Sequence, residues 1–265
     1  MTSISNINKR DVVLFVTHRL NDSVIGSFIE LGKELPNDSY DVVLLYQKED
    51  DVTIEIAGNI LLFICNNQDI KELGYKQIDK RLLPGSTNYP LLYFFKCHPY
   101  YETYWFIEYD VHFTGNWAIL LNNCREELGN YDFLSCHIER YCKCNSTWPW
   151  WFYKNSIKIP FVKYIKGFNP ICRYSNRALA CLDNYLKQGF SAHSEVMITT
   201  CLYHHGMKIG DIGGQGEFVP KGWENRYYLA GDGVNNGTMR YRPIYTREEI
   251  EKTGLKNMLF HPLKE

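Results

Sequence analysis

Short, almost uninterrupted apolar runs separated by helix-length segments constrain the fold of this chain more than any other feature. Residues 11–17 (Asp-Val-Val-Leu-Phe-Val-Thr) and 41–46 are two such runs, and the segment 22–35 between them has apolar residues at helical spacing. A continuous apolar run of this length predicts a strand buried on both faces. Strand, helix and strand at this spacing predict a parallel sheet with right-handed crossovers.

The rest of the chain continues the same pattern. Residues 140–160 are dense in aromatic side chains around Pro149, which favours a loop or lobe, and the chain from Gly214 onward is rich in glycine. We expect one α/β domain over residues 1–265, with a mostly parallel central sheet flanked by helices, an aromatic-rich insertion and a glycine-rich C-terminal segment. The further predicted elements are strands at 60–64, 104–110, 132–135, 161–172 and 208–212, and helices at 90–96, 116–121, 175–187 and 194–205.

Composition excludes several classes of protein. The chain has 265 residues, of which 45% are hydrophobic, so it is long enough to bury a large core. Lys and Arg together number 29 against 30 Asp and Glu, which argues against nucleic acid as a partner. The first ten residues lack the apolar run of a signal peptide, and no apolar stretch of about 18 residues occurs. We therefore expect a cytoplasmic protein, with peripheral contact to the inner membrane face left open.

The cysteine pattern favours free thiols. Nine cysteines are an odd number and lie at irregular spacing, which is typical of reduced thiols rather than of a disulfide framework. Cys136, His137, Cys142 and Cys144 form the one group that suggests zinc, but their spacing does not match the paired ligands of structural zinc sites. His204 and His205 are neighbours on a predicted helix and cannot both face one ion, so we interpret them as structural.

Two acidic residues end the predicted strand at 104–110. Glu108 and Asp110 are two positions apart, so in an extended segment both carboxylates face the same side and can approach one cation. Ligands of open parallel sheets bind at the carboxyl ends of strands, where this pair is expected to lie. Mn²⁺ or Mg²⁺ held there would offset charge on a diphosphate leaving group. The alternative is an ordinary pair of solvated acids at a strand end.

The segment Trp-Phe-Ile-Glu-Tyr-Asp-Val-His-Phe-Thr-Gly (105–115) resembles the acid-x-acid motif of GT-A glycosyltransferases, in the form found in a poorly characterised bacterial and fungal group. Residues 169–175, 193–195 and 211–214 are similar to the same group, and the resemblance spans about residues 11–263. It implies a nucleotide-sugar-binding half over about 11–136 and an acceptor-side half over about 137–265. The first acid of the usual motif is Asp, so Glu108 is expected to contact either the metal or the sugar or ribose.

The resemblance also implies roles for residues outside the motif. His261 would be the third metal ligand, Lys264 would contact the diphosphate, and Thr17, His18 and Arg19 would hold the nucleotide base and ribose. A histidine in a frayed C-terminal tail and loop residues without a special role are the alternatives.

On the acceptor side, the resemblance implies that Glu195 is the general base, with Asp211 as second choice. A plain capping role for Glu195, which opens a predicted helix, stays open. Ser175 is as readily the N-cap of a helix as a ligand contact, and Arg173 precedes it. Trp148, Trp150 and Trp151 provide either a stacking platform for a sugar or the cover of a lobe.

Taken together, these features predict transfer of a sugar from a nucleotide-diphosphate sugar to a hydroxyl acceptor, in the synthesis of a cell-surface polysaccharide or glycan. One alternative is a non-catalytic glycan-binding or scaffold protein with the same fold, since one fold hosts many functions. Another is a nucleotidyltransferase, which would more naturally carry a glycine-rich phosphate loop after the first strand. Residues 17–22 contain no glycine.

Overall fold

The computed structural model describes residues 10–48, 60–79, 85–231 and 237–264. Residues 232–236 of the glycine-rich segment therefore lie outside the described residues. The strands are β1 (Asp11–Thr17), β2 (Tyr40–Lys48), β3 (Leu62–Asn66), β4 (Thr103–Glu108), β5 (His112–Phe113), β6 (Phe133–Arg140), β7 (Ile165–Ser175), β8 (Ile209–Asp211) and β9 (Leu259–Phe260). The helices are α1 (Asp22–Glu34), α2 (Asn67–Glu72), α3 (Tyr89–Cys97), α4 (Trp117–Leu128), α5 (Asn176–Lys187), α6 (Ser194–His204) and α7 (Arg247–Thr253).

A mostly parallel central sheet organises the described part of the chain, as predicted. Seven strands form it in the order β3-β2-β1-β4-β7-β6-β8, and β7 alone runs antiparallel to its neighbours. From β1 the chain proceeds outward through β2 and β3 and then returns to place β4 on the other side of β1. The strand order therefore reverses between β1 and β4, which is where open α/β sheets bind ligands.

The antiparallel strand β7 extends past the end of β4. Ile107 pairs with Ile171, so the first half of β7 lies beyond Glu108 and beside β6. The prediction placed this strand at 161–172, four residues too early. Residues Phe161–Lys163 instead form a single 3₁₀ turn after Pro160, and a proline favours the start of such a turn because its φ is fixed.

The strand predicted at 60–64 lies two residues later, at β3, and is followed directly by the unpredicted helix α2. Asn66 starts this helix: its side chain accepts from the backbone N–H groups of Gln68 and Asp69, and Asp69 bonds back to the Asn66 N–H. This capping box is a strong local signal for a helix start. It was overlooked because the segment has too few apolar residues to show helical periodicity.

The core lies on both faces of the central sheet. On one face, Phe28 and Leu31 of α1 and Leu121 of α4 pack with Val13 and Trp105. On the other face, α3, α5 and α6 pack against the sheet through buried side chains that include Phe94, Leu182 and Ile198. The strands β1 and β4 are therefore buried on both sides, which explains why their sequences are nearly unbroken apolar runs. No helix within the described ranges combines the length and apolar character needed to cross a lipid bilayer.

The aromatic-rich segment folds as single turns. In the described chain, residues 141–164 contain three 3₁₀ turns, Lys143–Asn145, Pro149–Phe152 and Phe161–Lys163. Trp151 is completely buried and its indole N–H donates to the carbonyl oxygen of Asn145 at 2.8 Å. Trp151 thus serves as the core of this lobe, and is not an exposed stacking surface.

A disulfide corrects the expectation of reduced thiols. Cys142 and Cys144 are bonded, because the turn between them brings their Cα atoms to 5.3 Å. All nine cysteines lie in the described ranges, and the other seven are free thiols. The group considered for zinc is not assembled: Cys136 is fully buried, and the His137 ring bonds to the carbonyl oxygen of Met239 at 2.7 Å.

Candidate functional site

The carboxyl ends of β1 and β4 meet at the point where the strand order reverses. The two strands are parallel, Val16 is in register with Glu108, and the Tyr109 N–H donates to the Val16 carbonyl oxygen at 3.0 Å. The loop after Thr17 and the acidic pair therefore lie at the same edge of the sheet. This edge is the expected position of a ligand crevice.

The C-terminal segment returns to this edge and brings a histidine with it. Phe260 of β9 pairs with His112 of β5, and the Leu263 N–H donates to the Asp110 carbonyl oxygen at 2.8 Å. His261 lies between these two anchors. Its Nε2 is 3.5 Å from Asp110 Oδ1 and 3.8 Å from Glu108 Oε2. We call Glu108, Asp110 and His261 the sheet-edge cluster; one ligand atom from each lies within 4.8 Å of the others.

The His261 ring is fixed in an orientation suited to metal binding. Its Nδ1 bonds to the Arg240 carbonyl oxygen at 2.7 Å, and the edge of the Phe168 ring contacts it at 5.1 Å between centroids. With a proton held at Nδ1, Nε2 is the nitrogen that faces the two carboxylates and that would give up its own proton to bind a cation. Metal-bound histidines typically make this kind of hydrogen bond through the nitrogen that does not bind the metal.

One carboxylate oxygen at the centre of the cluster has no hydrogen-bond donor. Asp110 Oδ1 is buried and unsatisfied among the described residues, although Lys264 Nζ lies 3.8 Å from the other oxygen, Oδ2. An unsatisfied buried acceptor is costly unless a cation completes it. Two carboxylates and one imidazole fit Mn²⁺ or Mg²⁺, and the single nitrogen ligand favours Mn²⁺ over the harder Mg²⁺.

The electrostatics of the sheet-edge cluster also suit a cation. Burial and the charge of Asp110 raise the pKa of Glu108 to about 7. Burial would raise the pKa of Asp110 too, but the His261 contact and the Lys264 charge outweigh it and hold that pKa below its usual value. Burial opposes protonation of His261, yet the two carboxylates raise its pKa. The two carboxylates of the sheet-edge cluster thus carry negative charge that His261 and Lys264 neutralise only in part.

The three residues predicted to hold the nucleotide form the loop beside the cluster. Thr17 is buried, and its hydroxyl donates to the Arg19 carbonyl oxygen at 2.7 Å while accepting from the Arg19 N–H at 3.0 Å. His18 and Arg19 are exposed, and the His18 ring packs edge-on against Tyr109 at 5.3 Å. Thr17 therefore shapes the turn, and His18 is exposed beside Tyr109, between the two acidic residues.

Glu195 approaches the same edge from α6. Burial, together with the negative charge of Glu108, raises the pKa of Glu195 to about 8, so the two carboxylates are close enough to interact. Lys166 of β7 acts in the opposite direction. His193 Nδ1 is 3.8 Å from Glu195 Oε2 and has no hydrogen-bond partner among the described residues. Sequence reasoning did not single out Lys166, although a lysine opening an apolar strand is an unusual feature.

An aromatic side chain covers the start of α6. Trp150 stacks on the His193 ring at 4.6 Å between centroids with an interplanar angle of 10°, and Trp148 contacts the same ring edge-on at 6.3 Å. Trp150 is half-buried. The aromatic-rich insertion thus contributes one wall beside Glu195, and this pairing was not visible in the sequence.

Asp211, the second candidate base, is satisfied by protein donors. It is fully buried, and its carboxylate accepts from the Ile138 N–H at 3.0 Å, the Gly213 N–H at 3.0 Å and the Tyr228 hydroxyl at 2.9 Å. Gly213 and Gly214 allow close approach of the Tyr228 ring, since an added Cβ would collide with it. These contacts give Asp211 a part in holding the C-terminal segment to β8 and β6, and they leave no oxygen free for a substrate proton.

Three further residues have structural contacts. The Ser175 hydroxyl caps α5 by accepting from the Ala178 N–H at 3.2 Å. Arg173 is buried, and its guanidinium donates to the carbonyl oxygens of Leu128 and Tyr131. His204 bonds to the Lys163 carbonyl oxygen at 3.0 Å. None of these contacts places the residues at the sheet-edge cluster.

Comparison with known proteins gives likenesses at the level of structure only. No family model and no curated protein sequence matches the chain. Core-mannan synthase A from Aspergillus fumigatus, in a Mn/GDP form, is similar with a TM-score of 0.42 and 10% identity over 79% of this chain and 74% of that one. Mouse xyloside xylosyltransferase 1 is similar with a TM-score of 0.39 and 9% identity over 77% of this chain and 84% of that one.

The bifunctional glycosyltransferase WbbM is similar with a TM-score of 0.40 and 11% identity; the match covers 80% of this chain and 41% of WbbM. This chain therefore spans less than half the length of that protein. Likenesses at this level leave the function to be argued from the chemistry of the site itself.

Proposed function

We propose that this protein is a metal-dependent glycosyltransferase, which moves a sugar from a nucleotide-diphosphate sugar to a hydroxyl of a growing cell-surface glycan. The observation that carries the proposal is the sheet-edge cluster. Two carboxylates and a histidine converge where the strand order reverses, and Asp110 Oδ1 lacks any donor among the described residues. This is the position and the ligand set that a diphosphate-bound cation requires.

The donor would lie across the carboxyl ends of β1 and β4. His18 and Arg19 are exposed beside the cluster and are positioned to contact the base and ribose, while Thr17 holds their loop. Lys264, 3.8 Å from Asp110, is placed to add a positive charge near the phosphates. Mn²⁺ or Mg²⁺ bound by Glu108, Asp110 and His261 would supply charge neutralisation at the diphosphate leaving group.

The acceptor would enter from the side of α6. Glu195 has a raised pKa and interacts with Glu108, and the Trp150–His193 stack forms an apolar wall beside it. Aromatic faces of this kind suit the apolar face of a sugar ring. Because both carboxylate oxygens of Asp211 already accept hydrogen bonds from protein donors, Glu195 is the stronger candidate for the base.

The reaction follows from this arrangement. Glu195 removes the proton of the acceptor hydroxyl as its oxygen attacks the anomeric carbon of the donor. A new carbon–oxygen bond forms, the bond between the anomeric carbon and the diphosphate oxygen breaks, and its electron pair leaves with the nucleoside diphosphate. A single displacement of this kind would invert the anomeric configuration.

A thermal-shift panel of nucleotide sugars, with and without Mn²⁺, tests the proposal. One donor should stabilise the wild-type protein only when Mn²⁺ is present, and the Asp110→Ala variant should lose this stabilisation. Release of nucleoside diphosphate by the wild type then distinguishes an enzyme from a glycan-binding protein of the same fold. Stabilisation that is independent of both metal and Asp110 would contradict the proposal. Release of inorganic diphosphate from a nucleoside triphosphate in the presence of a sugar 1-phosphate would indicate a nucleotidyltransferase instead.

A further inference from the structure

A second group of metal-ligating side chains lies between α5 and α6, on the face of the sheet that carries these helices. Cys201 and His205 are four residues apart on α6 and its C-terminal cap, so their side chains project from the same face of the helix. Cys181 of α5 faces them across the helix pair. A surface groove of about 410 Å³ opens here, and Cys181, His205, Asn184 and Met207 contribute to its lining.

The three side chains converge closely enough to share an ion. One ligand atom from each of Cys181, Cys201 and His205 lies within 4.8 Å of the others. His205 Nδ1 is 3.7 Å from Cys201 Sγ and donates to the Cys201 carbonyl oxygen at 2.8 Å, so binding an ion through this nitrogen requires the ring to give up that proton and hydrogen bond. The edge-on ring of Tyr185, 5.4 Å away between centroids, supports the imidazole. We call these three residues the helix-pair cluster.

The chemistry of the helix-pair cluster differs from that of two buried structural cysteines. Cys181 is half-buried and His205 is exposed, so both can be reached from the groove. Thiolate and imidazole are the ligands that Zn²⁺ prefers, and zinc sites with three protein ligands keep a fourth position for water.

We propose that Cys181, Cys201 and His205 bind a thiophilic divalent cation, Zn²⁺ in the cell, with the fourth ligand a water from the groove. The site is separate from the sheet-edge cluster and does not depend on the proposed transferase activity. Metal binding would join the C-terminal end of α6 to α5. Because Glu195 lies in the first turn of the same helix, the ion would also steady the helix that presents the candidate base.

Titration of the reduced, full-length protein with Co²⁺ tests this site, because cobalt bound to thiolate gives a charge-transfer absorption that oxygen ligands do not give. A phosphine reductant keeps the thiols free. We expect the wild type to show this absorption at one equivalent, and Cys181→Ser and Cys201→Ser to lose it. His205→Asn changes an exposed side chain and should fold; it should bind Co²⁺ at least about tenfold more weakly.

Three controls separate this site from other ligands in the chain. Cys97→Ser removes an exposed thiol elsewhere, Cys142→Ser/Cys144→Ser removes the cysteines that the reductant would free, and Asp110→Ala removes the sheet-edge cluster. All three should keep the absorption. Zn²⁺ should displace Co²⁺ and raise the melting temperature of the wild type but not of Cys181→Ser.

Several outcomes would overturn the proposal. Wild-type protein without the charge-transfer absorption has no thiolate metal site. Absorption that survives in both Cys181→Ser and Cys201→Ser, or that disappears with Cys142 and Cys144, belongs to other ligands. If the untreated protein instead yields a Cys181–Cys201 disulfide in peptide mapping and the reduced protein ignores Co²⁺, the pair is a redox pair and not a metal site.

Discussion

The sheet-edge cluster and the helix-pair cluster each contain three possible metal ligands, but the ligand atoms differ in chemistry. The first offers two carboxylates and an imidazole, and the second two thiols and an imidazole. Hard oxygen ligands suit Mn²⁺ and Mg²⁺, whereas thiolates suit Zn²⁺. The comparison teaches that ligand type sets which ion each cluster would favour, while metal availability would also decide occupancy, because a given site generally binds Zn²⁺ more tightly than Mn²⁺.

The two clusters also differ in how the chain assembles them. The helix-pair cluster is assembled from the last turn of α6 and the neighbouring helix α5, so all of its ligands come from residues 181–205. The sheet-edge cluster joins Glu108 to His261, which are held together by the pairing of β5 with β9 and by the Leu263–Asp110 hydrogen bond. Local unfolding of the C-terminal segment would therefore remove the sheet-edge cluster and leave the helix-pair cluster.

The largest expected effect separates the two clusters by function. Asp110→Ala should lower Mn²⁺-dependent transfer by about a thousandfold or more, because the leaving diphosphate loses several kcal/mol of charge stabilisation. The cobalt–thiolate absorption of the helix-pair cluster should remain. Glu248→Ala, at an exposed acid on α7, is the matched control and should keep full activity. Equal activity in both variants would show that the sheet-edge cluster is not the reacting site.

Glu195 lies on α6, the helix that also carries Cys201 of the helix-pair cluster. Its replacement tests whether sugar transfer takes place beside the sheet-edge cluster. Glu195→Gln should reduce kcat by about a hundredfold. Burial and Glu108 raise the Glu195 pKa to about 8, and a base must be unprotonated, so wild-type transfer should rise with pH. A bound cation offsets Glu108 and places the midpoint at or below that value. A variant that keeps this rising limb would exclude Glu195 as the base.

Asp211 and Asp110 differ in their hydrogen bonds. Both carboxylate oxygens of Asp211 accept from protein donors, whereas Asp110 Oδ1 accepts from none among the described residues. Asp211→Ala should lower the free energy of unfolding by about 2 kcal/mol, since buried N–H and hydroxyl donors lose their acceptor. Urea denaturation measures this, with Tyr228→Phe as a milder companion that removes one donor. If stability is unchanged while transfer is lost, Asp211 acts in the reaction and the preference for Glu195 is wrong.

The smallest expected effect concerns the acceptor wall. Trp150→Ala removes the ring that stacks on His193 and should raise the acceptor KM about fivefold, or about 1 kcal/mol, with little change in kcat. Phe152→Ala, at a neighbouring aromatic that is 57% exposed, should leave the acceptor KM near the wild-type value. Equal effects of the two substitutions would argue for a general loosening of the insertion.

Local patterns predicted much of the fold and part of the candidate site. The apolar runs placed β1, β2 and β4 within two residues of their ends, because a strand covered on both faces must be apolar throughout. The predicted strand at 104–110 ends at Glu108 in the structure, and Asp110 lies in the turn that follows, so this turn, and not the two-residue period of an extended strand, brings the two carboxylates together. Of the two interpretations of Ser175, the N-cap of a helix is confirmed. Cys201 and His205 are four residues apart, a spacing that places both side chains on one face of a helix. The interpretation of His205 as structural rested on its neighbour His204 alone.

What the sequence by itself determined is the alternation of strands and helices over most of the chain and the position of Glu108 at the end of β4, since both depend on side-chain periodicity within a few residues. Tertiary structure decided the reversed direction of β7, the return of His261 to Asp110, the Trp150–His193 stack and the approach of Cys181 to Cys201. These contacts join residues far apart in the chain, or elements whose relative orientation is set by packing, and no local pattern encodes such a distance.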